Sequence, residues 1–228
     1  MTVLASLLLA DSRLPTGGHA HSGGVEAAAE RGLIRDETSL ALFLAGRLRG
    51  SGLMIAAAAA AGCLLAVAGP VTWASWDTAV SARIPSAAAR EASRAQGMTL
   101  LRTARRVWPS AALDELSQIG PPHHPLVLGA AVAAAGDDAD AAAALALHHL
   151  LGGACAAAIR LLGLDPIAVA AVQARSCTDA QRIVVAGLGQ AHKAFAQRDP
   201  RLLPSTGTPL PELLAELHAA KKVTLFAS

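Results

Sequence analysis

Residues 53–69 read Leu-Met-Ile-Ala-Ala-Ala-Ala-Ala-Ala-Gly-Cys-Leu-Leu-Ala-Val-Ala-Gly, a run without a single charge. Its length approaches that of a membrane span. Alanine dominates it, however, and Pro70 with flanking glycines bounds it without aromatic anchors. The run therefore reads as a helix buried in the core of a helical protein. The rest of the chain agrees. Of 228 residues, 53% are hydrophobic and only 3% aromatic, with no Tyr, so Ala and Leu must fill the interior. Both are strong helix formers. Val, Ile and Thr never alternate with polar residues over a useful length, and strand signals are nearly absent. The expected fold is all-α: one domain over residues 1–228, about ten helices, and a peripheral C-terminal tail.

Capping residues and breakers set the expected helices at 2–10, 24–31, 36–49, 53–68, 72–82, 86–108, a short one after Ser110, 126–135, 138–162, 166–174, 178–197 and 211–221. Gly50-Ser51-Gly52 reads as a break. Residues 199–211 read as a loop or mobile arm, and Gly120 to Pro125 as the clearest connector. Gly97 inside a long helix points to close packing against a neighbour.

A formal net charge of +2 does not announce a nucleic-acid binder. Arg90 with Arg94, and Arg102 with Arg106, each share a helix face, which suits an ordinary solvated surface, an acidic protein or nucleic acid. Cys63, Cys155 and Cys177 stand far apart, which argues against a disulfide framework and fits a reducing cytoplasm. Val3 to Ala10 is apolar but lacks a basic leader and meets Asp11 at once, so it does not read as a signal peptide.

Asp11 to Glu26 is the most demanding segment: Asp-Ser-Arg-Leu-Pro-Thr-Gly-Gly-His-Ala-His-Ser-Gly-Gly-Val-Glu. Pro15 fixes its own φ and extends Leu14. Gly17, Gly18, Gly23 and Gly24 permit positive φ or close backbone approach. Ser22 is placed to cap the next helix, and Glu26 lies in its first turn, where the macrodipole favours an anion. His19 and His21 would point to one side of an extended loop and could meet one metal ion, but two ligands make a weak site, and packing rings are the plainer reading. The loop has the glycines of a phosphate cradle without its lysine or preceding strand, and no nucleophile elbow or H-E-x-x-H run occurs. No active site and no cofactor are expected. His123-His124 reads as a solvated pair, and His148-His149 as one core and one surface ring. Phe226, a scarce large side chain near a terminus, should dock either on its own core or on a partner.

The segment 11–26 resembles the N-terminal signature of UreF, the urease accessory family that takes part in loading nickel into apo-urease. Arg90-Glu-Ala-Ser-Arg-Ala-Gln-Gly97, the small-residue helix leading to Arg160, and the ending Leu-Phe-Ala-Ser228 support the likeness, which spans the whole chain. Many family members carry aromatics where this chain has His19 and His21, so a nickel role for them does not follow. The resemblance implies a cytoplasmic, all-helical, dimerising and non-enzymatic scaffold bridging UreD (also UreH) and the GTPase UreG. That assembly then acts on apo-urease, without nucleic acid or membrane. It implies partner-binding roles for Pro15, Gly17, Gly18, His19, His21, Ser22, Gly24, Glu26, Arg94, Leu225, Phe226 and Ser228, with the tail mobile in the free protein. The alternatives are a small helical membrane protein and a histidine-based nickel carrier.

Overall fold

The computed structural model describes residues 3–69, 72–207, 209–221 and 225–226. Within them the chain is all-α, without a strand: α1 (Val3–Ala10), α2 (Val25–Glu30), α3 (Glu37–Arg47), α4 (Leu53–Ala68), α5 (Trp73–Ser81), α6 (Ala87–Val107), α7 (Ala111–Leu116), α8 (His124–Ala134), α9 (Ala139–Leu162), α10 (Pro166–Ala196) and α11 (Pro209–Ala219). The starts are chemically marked. Asp36 forms a capping box with Ser39, and Ser86, Ser110, Asp138 and Asp165 accept first-turn N–H groups. Each such cap contributes about 1 kcal/mol.

The alanine run explains the architecture. Ala56 to Ala61 of α4 are fully buried, and α8, α9 and α10 pack around them. Methyl-sized side chains let the backbones approach closely. A Cβ on Gly129 of α8 would lie 2.6 Å from the Cys63 nitrogen, and one on Gly62 would lie 2.6 Å from the Leu126 carbonyl oxygen. Gly187 of α10 meets Ala56 in the same way, its added Cβ 2.9 Å from that methyl. Two helical stretches, Glu37–Ala68 and Ala139–Leu162, are long and apolar enough to cross a membrane. Yet 61% and 56% of their most apolar windows are buried inside the protein, as core helices require.

Three boundaries differ from expectation. Gly50-Ser51-Gly52 does not break the chain; a π-helical turn over Leu48–Gly52 joins α3 to α4, and Ser51 Oγ donates to the Arg47 carbonyl. The gap expected near residue 176 is absent. Ser176 Oγ and Cys177 Sγ donate to carbonyls one turn back, so their polar atoms are satisfied within α10. The arm at 199–207 is tied down: Arg83 donates to the carbonyls of Arg201, Leu203 and Pro204, and Leu203 is buried. The expected close approach at Gly97 is present, where an added Cβ would sit 3.0 Å from the His124 nitrogen and closer still to the Pro122 carbonyl oxygen.

Candidate functional site

The loop between α1 and α2 folds as the glycines suggest, with one exception. Gly17, Gly23 and Gly24 take φ of 78°, 60° and 89°; Gly18 opens a short 3-10 turn at ordinary negative φ, so its special backbone role is corrected. Pro15 is exposed and its carbonyl accepts Thr103 Oγ1 at 2.7 Å, which fixes the loop against α6. Ser22 is buried and its Oγ accepts the Glu26 N–H at 3.3 Å, so it caps α2 from two residues before Gly24, the residue at the helix start.

Glu26 is the centre of the arrangement. Its carboxylate is buried and accepts two consecutive backbone N–H groups, from Leu225 to Oε1 and from Phe226 to Oε2, both at 3.0 Å. Around it stand His218 Nδ1 at 3.9 Å and Lys221 Nζ at 4.0 Å, and Lys221 also pairs with Glu30. His218 Nε2 donates to the Phe226 carbonyl at 3.2 Å; a carbonyl can only accept, so that nitrogen carries the proton. The Phe226 ring is buried beneath the Arg160 guanidinium, 4.5 Å from its centroid. The expectation of a tail mobile in the free protein is therefore corrected at this point. Phe226 docks on its own chain because Glu26 supplies the acceptors its backbone needs, while Leu225 faces outward, 77% exposed. Ser228 and the His19 side chain lie outside the described residues.

Arg94 is occupied internally. It donates to Asp77 Oδ2 at 2.9 Å, to Ser81 Oγ at 2.8 Å, and to the Pro121 carbonyl. Its role here is to clamp α5, α6 and the connector before α8. His123 belongs to the same network and is fully buried, which corrects its reading as solvated: Ser81 Oγ lies 2.7 Å from Nε2, Ser93 Oγ 3.0 Å from Nδ1, and Asp77 accepts its backbone N–H. A serine within hydrogen-bond reach of a histidine resembles an activated nucleophile. Here the imidazole is sealed from solvent and the hydroxyl also serves Arg94, so the pair is a structural node. Of the second pair, His149 donates from Nε2 to the Leu9 carbonyl at 2.9 Å and His148 is exposed, as expected. His21 is half-buried. Among the described residues no three His, Cys, Asp or Glu side chains converge to hold a metal ion.

Burial pushes His123 down to about 4 and His124 to about 3, from an ordinary 6.5. Unfolded imidazoles take protons below pH about 6.5, whereas the folded ones resist until pH about 4 or lower. Stability is therefore full above pH 6.5 and is lost progressively as the pH falls towards 4, the His123 step alone corresponding to on the order of 3 kcal/mol. Thermal melting from pH 7.5 to 4 should show this slope, and His123→Asn should flatten it; a flat wild-type profile contradicts the burial of neutral imidazoles.

Beside this network lies a cavity of about 590 Å3 under the loop, bounded by α3, α6, α8, α9 and the segment that carries α11. Arg47 of α3 lines it; no local signal in the sequence marks this role, because Gly23, its partner, lies 24 residues away.

The family model described as UreF matches residues 34–177. The chain is 43% identical to the urease accessory protein UreF of Mycolicibacterium vanbaalenii, 40% to that of Mycobacterium marinum and 39% to that of Mycobacterium tuberculosis, covering all of both chains in each case. The chain belongs to the UreF family. It is thus a member of a family of urease accessory proteins, and the resemblance read from the loop at 11–26 holds over its full length.

Proposed function

We propose that this chain is a non-enzymatic scaffold of urease maturation, acting in the cytoplasm as a homodimer. It bridges a UreD (UreH) protein and the GTPase UreG so that nickel enters apo-urease. The observation that carries the reading is full-length similarity to urease accessory proteins combined with an unpartnered apolar stripe at the latched end of the molecule. Leu210, Leu213 and Leu217 of α11 are 46%, 58% and 43% exposed, at the spacing of one helix face, and Leu225 of the tail is also exposed. Aliphatic side chains so grouped favour burial against a partner surface.

In this reading UreD covers α11, Leu225 and the exposed loop residues Pro15 and Gly18. Ser22, Gly24, Glu26 and Phe226 act from beneath by holding that surface in shape, and Gly17 shapes the loop. UreG takes another face of the helical body. Leu213→Asp with Leu217→Asp should leave the melting temperature within about 2 °C of wild type, since both side chains are exposed, and should weaken co-purification with UreD at least tenfold. Undiminished capture of UreD would remove this face from the interface.

A further inference from the structure

The buried side-chain polar atoms without a hydrogen-bond partner, among the described residues, are Arg47 Nε, Thr206 Oγ1, His218 Nδ1 and Lys221 Nζ. The last two face the Glu26 carboxylate, His218 Nδ1 at 3.9 Å and Lys221 Nζ at 4.0 Å. The other two, Arg47 Nε and Thr206 Oγ1, belong to residues that line the same cavity of about 590 Å3. Native proteins pair such atoms, because leaving them bare costs about 1–3 kcal/mol each. Two such atoms on residues lining one cavity mark it as a place where something outside this chain completes the bonding.

The charge balance of the wall gives the chemistry. Asp11, which lines the cavity, is spent on Arg13, which holds its carboxyl down at about 2. Glu212 is spent on the Ser86 N–H at 2.7 Å. Arg83 is spent on three carbonyls of the 201–204 turn. Arg47 differs: its Nη1 donates to the Gly23 carbonyl at 2.9 Å, and no carboxylate among the described residues pairs with it. Nε, on the edge it shares with Nη2, has no hydrogen-bond partner among the described residues, and burial pushes the pKa of the group down to about 10. A guanidinium edge of this kind matches two oxygens of a planar or tetrahedral oxyanion. Gly23 is part of the device: any side chain there would drive into the Arg47 guanidinium, an added Cβ standing 3.1 Å from its central carbon and closer to Nη1.

We propose that this cavity binds a small-molecule oxyanion, carrying a carboxylate or phosphate group, through the Nε and Nη2 edge of Arg47. The volume lies in the range of small-ligand sites, about 300–1,000 Å3. The cavity lies beneath the proposed partner surface and shares α11 and Gly18 with it, but its test needs no UreD, so the two readings are checked independently.

The test uses the purified full chain and two probes, inorganic phosphate and succinate, at constant ionic strength with chloride as reference. Titration calorimetry on the wild type should give saturable binding of at least one probe at about one per chain. Melting temperature should then rise by about 5 °C at a hundredfold excess over Kd. Binding of phosphate alone assigns the site to phosphorylated ligands, and binding of succinate alone to carboxylates. Arg47→Leu should bring the affinity down at least tenfold, while Arg102→Gln, on the exposed face of α6, should leave it unchanged. If the wild type binds neither probe beyond the chloride control, or if Arg47→Leu binds as well as wild type, the proposal is wrong. The wild-type calorimetry decides the matter even where Arg47→Leu fails to fold.

Discussion

Gly129→Val is expected to cost about 3 kcal/mol or more, the largest effect of any single substitution considered for this chain. The cause is steric and cannot relax cheaply. The Cβ would enter the backbone of α4 at Ala59 and Cys63, not the end of a flexible side chain. To clear it, α8 must move away from a row of buried alanines that have no longer side chains to fill the gap. Gly46→Ala on α3 is the control: nothing lies within 4 Å of its added Cβ, so replacing a helical glycine there should stabilise by about 0.5–1 kcal/mol. Urea denaturation of both variants measures the difference; equal stability would show that the α4–α8 crossing is looser than described.

Truncation after Lys221 is the second large expectation. It removes the buried Phe226 ring and leaves the Glu26 carboxylate buried without its two N–H donors. Losing a core aromatic alone costs about 3–5 kcal/mol, and an ionised acceptor left bare adds to it. Glu26→Gln separates the two parts, since it keeps the ring but offers one acceptor oxygen where two N–H groups need one each; a loss of about 1–3 kcal/mol is expected. Thermal melting reads both variants, and amide exchange at Phe226 reads Glu26→Gln. An unchanged melting temperature on truncation would mean that the tail does not dock on its own core.

These two results also mark what the sequence could and could not reveal. The alanine run at 56–61, the helix starts at Asp36, Ser86, Ser110 and Asp165, and the tight packing at Gly97 are legible because each is a local pattern with a local consequence. The Gly-Ser-Gly at 50–52 misled because glycine is read as a stop. Within a helix already clamped on both sides by packing, it became a π turn instead. Glu26 was visible as a first-turn acid, but its true partners lie 199 and 200 residues downstream. No periodicity announces such a pairing. His123 looked solvated because its neighbours are prolines and glycine; only the arrival of Ser81, Ser93 and Asp77 from two other helices makes its burial affordable.

The central claim is that this chain enables nickel insertion by assembling other proteins, not by carrying the metal or by catalysis. Purified apo-urease, UreD, UreG, GTP and nickel should be combined with and without the chain, and nickel bound to urease measured after removal of free metal. The account predicts nickel incorporation and urease activity that rise with added chain and saturate near stoichiometric amounts, with the Leu213→Asp, Leu217→Asp variant inactive. Equal nickel incorporation in its absence would contradict it.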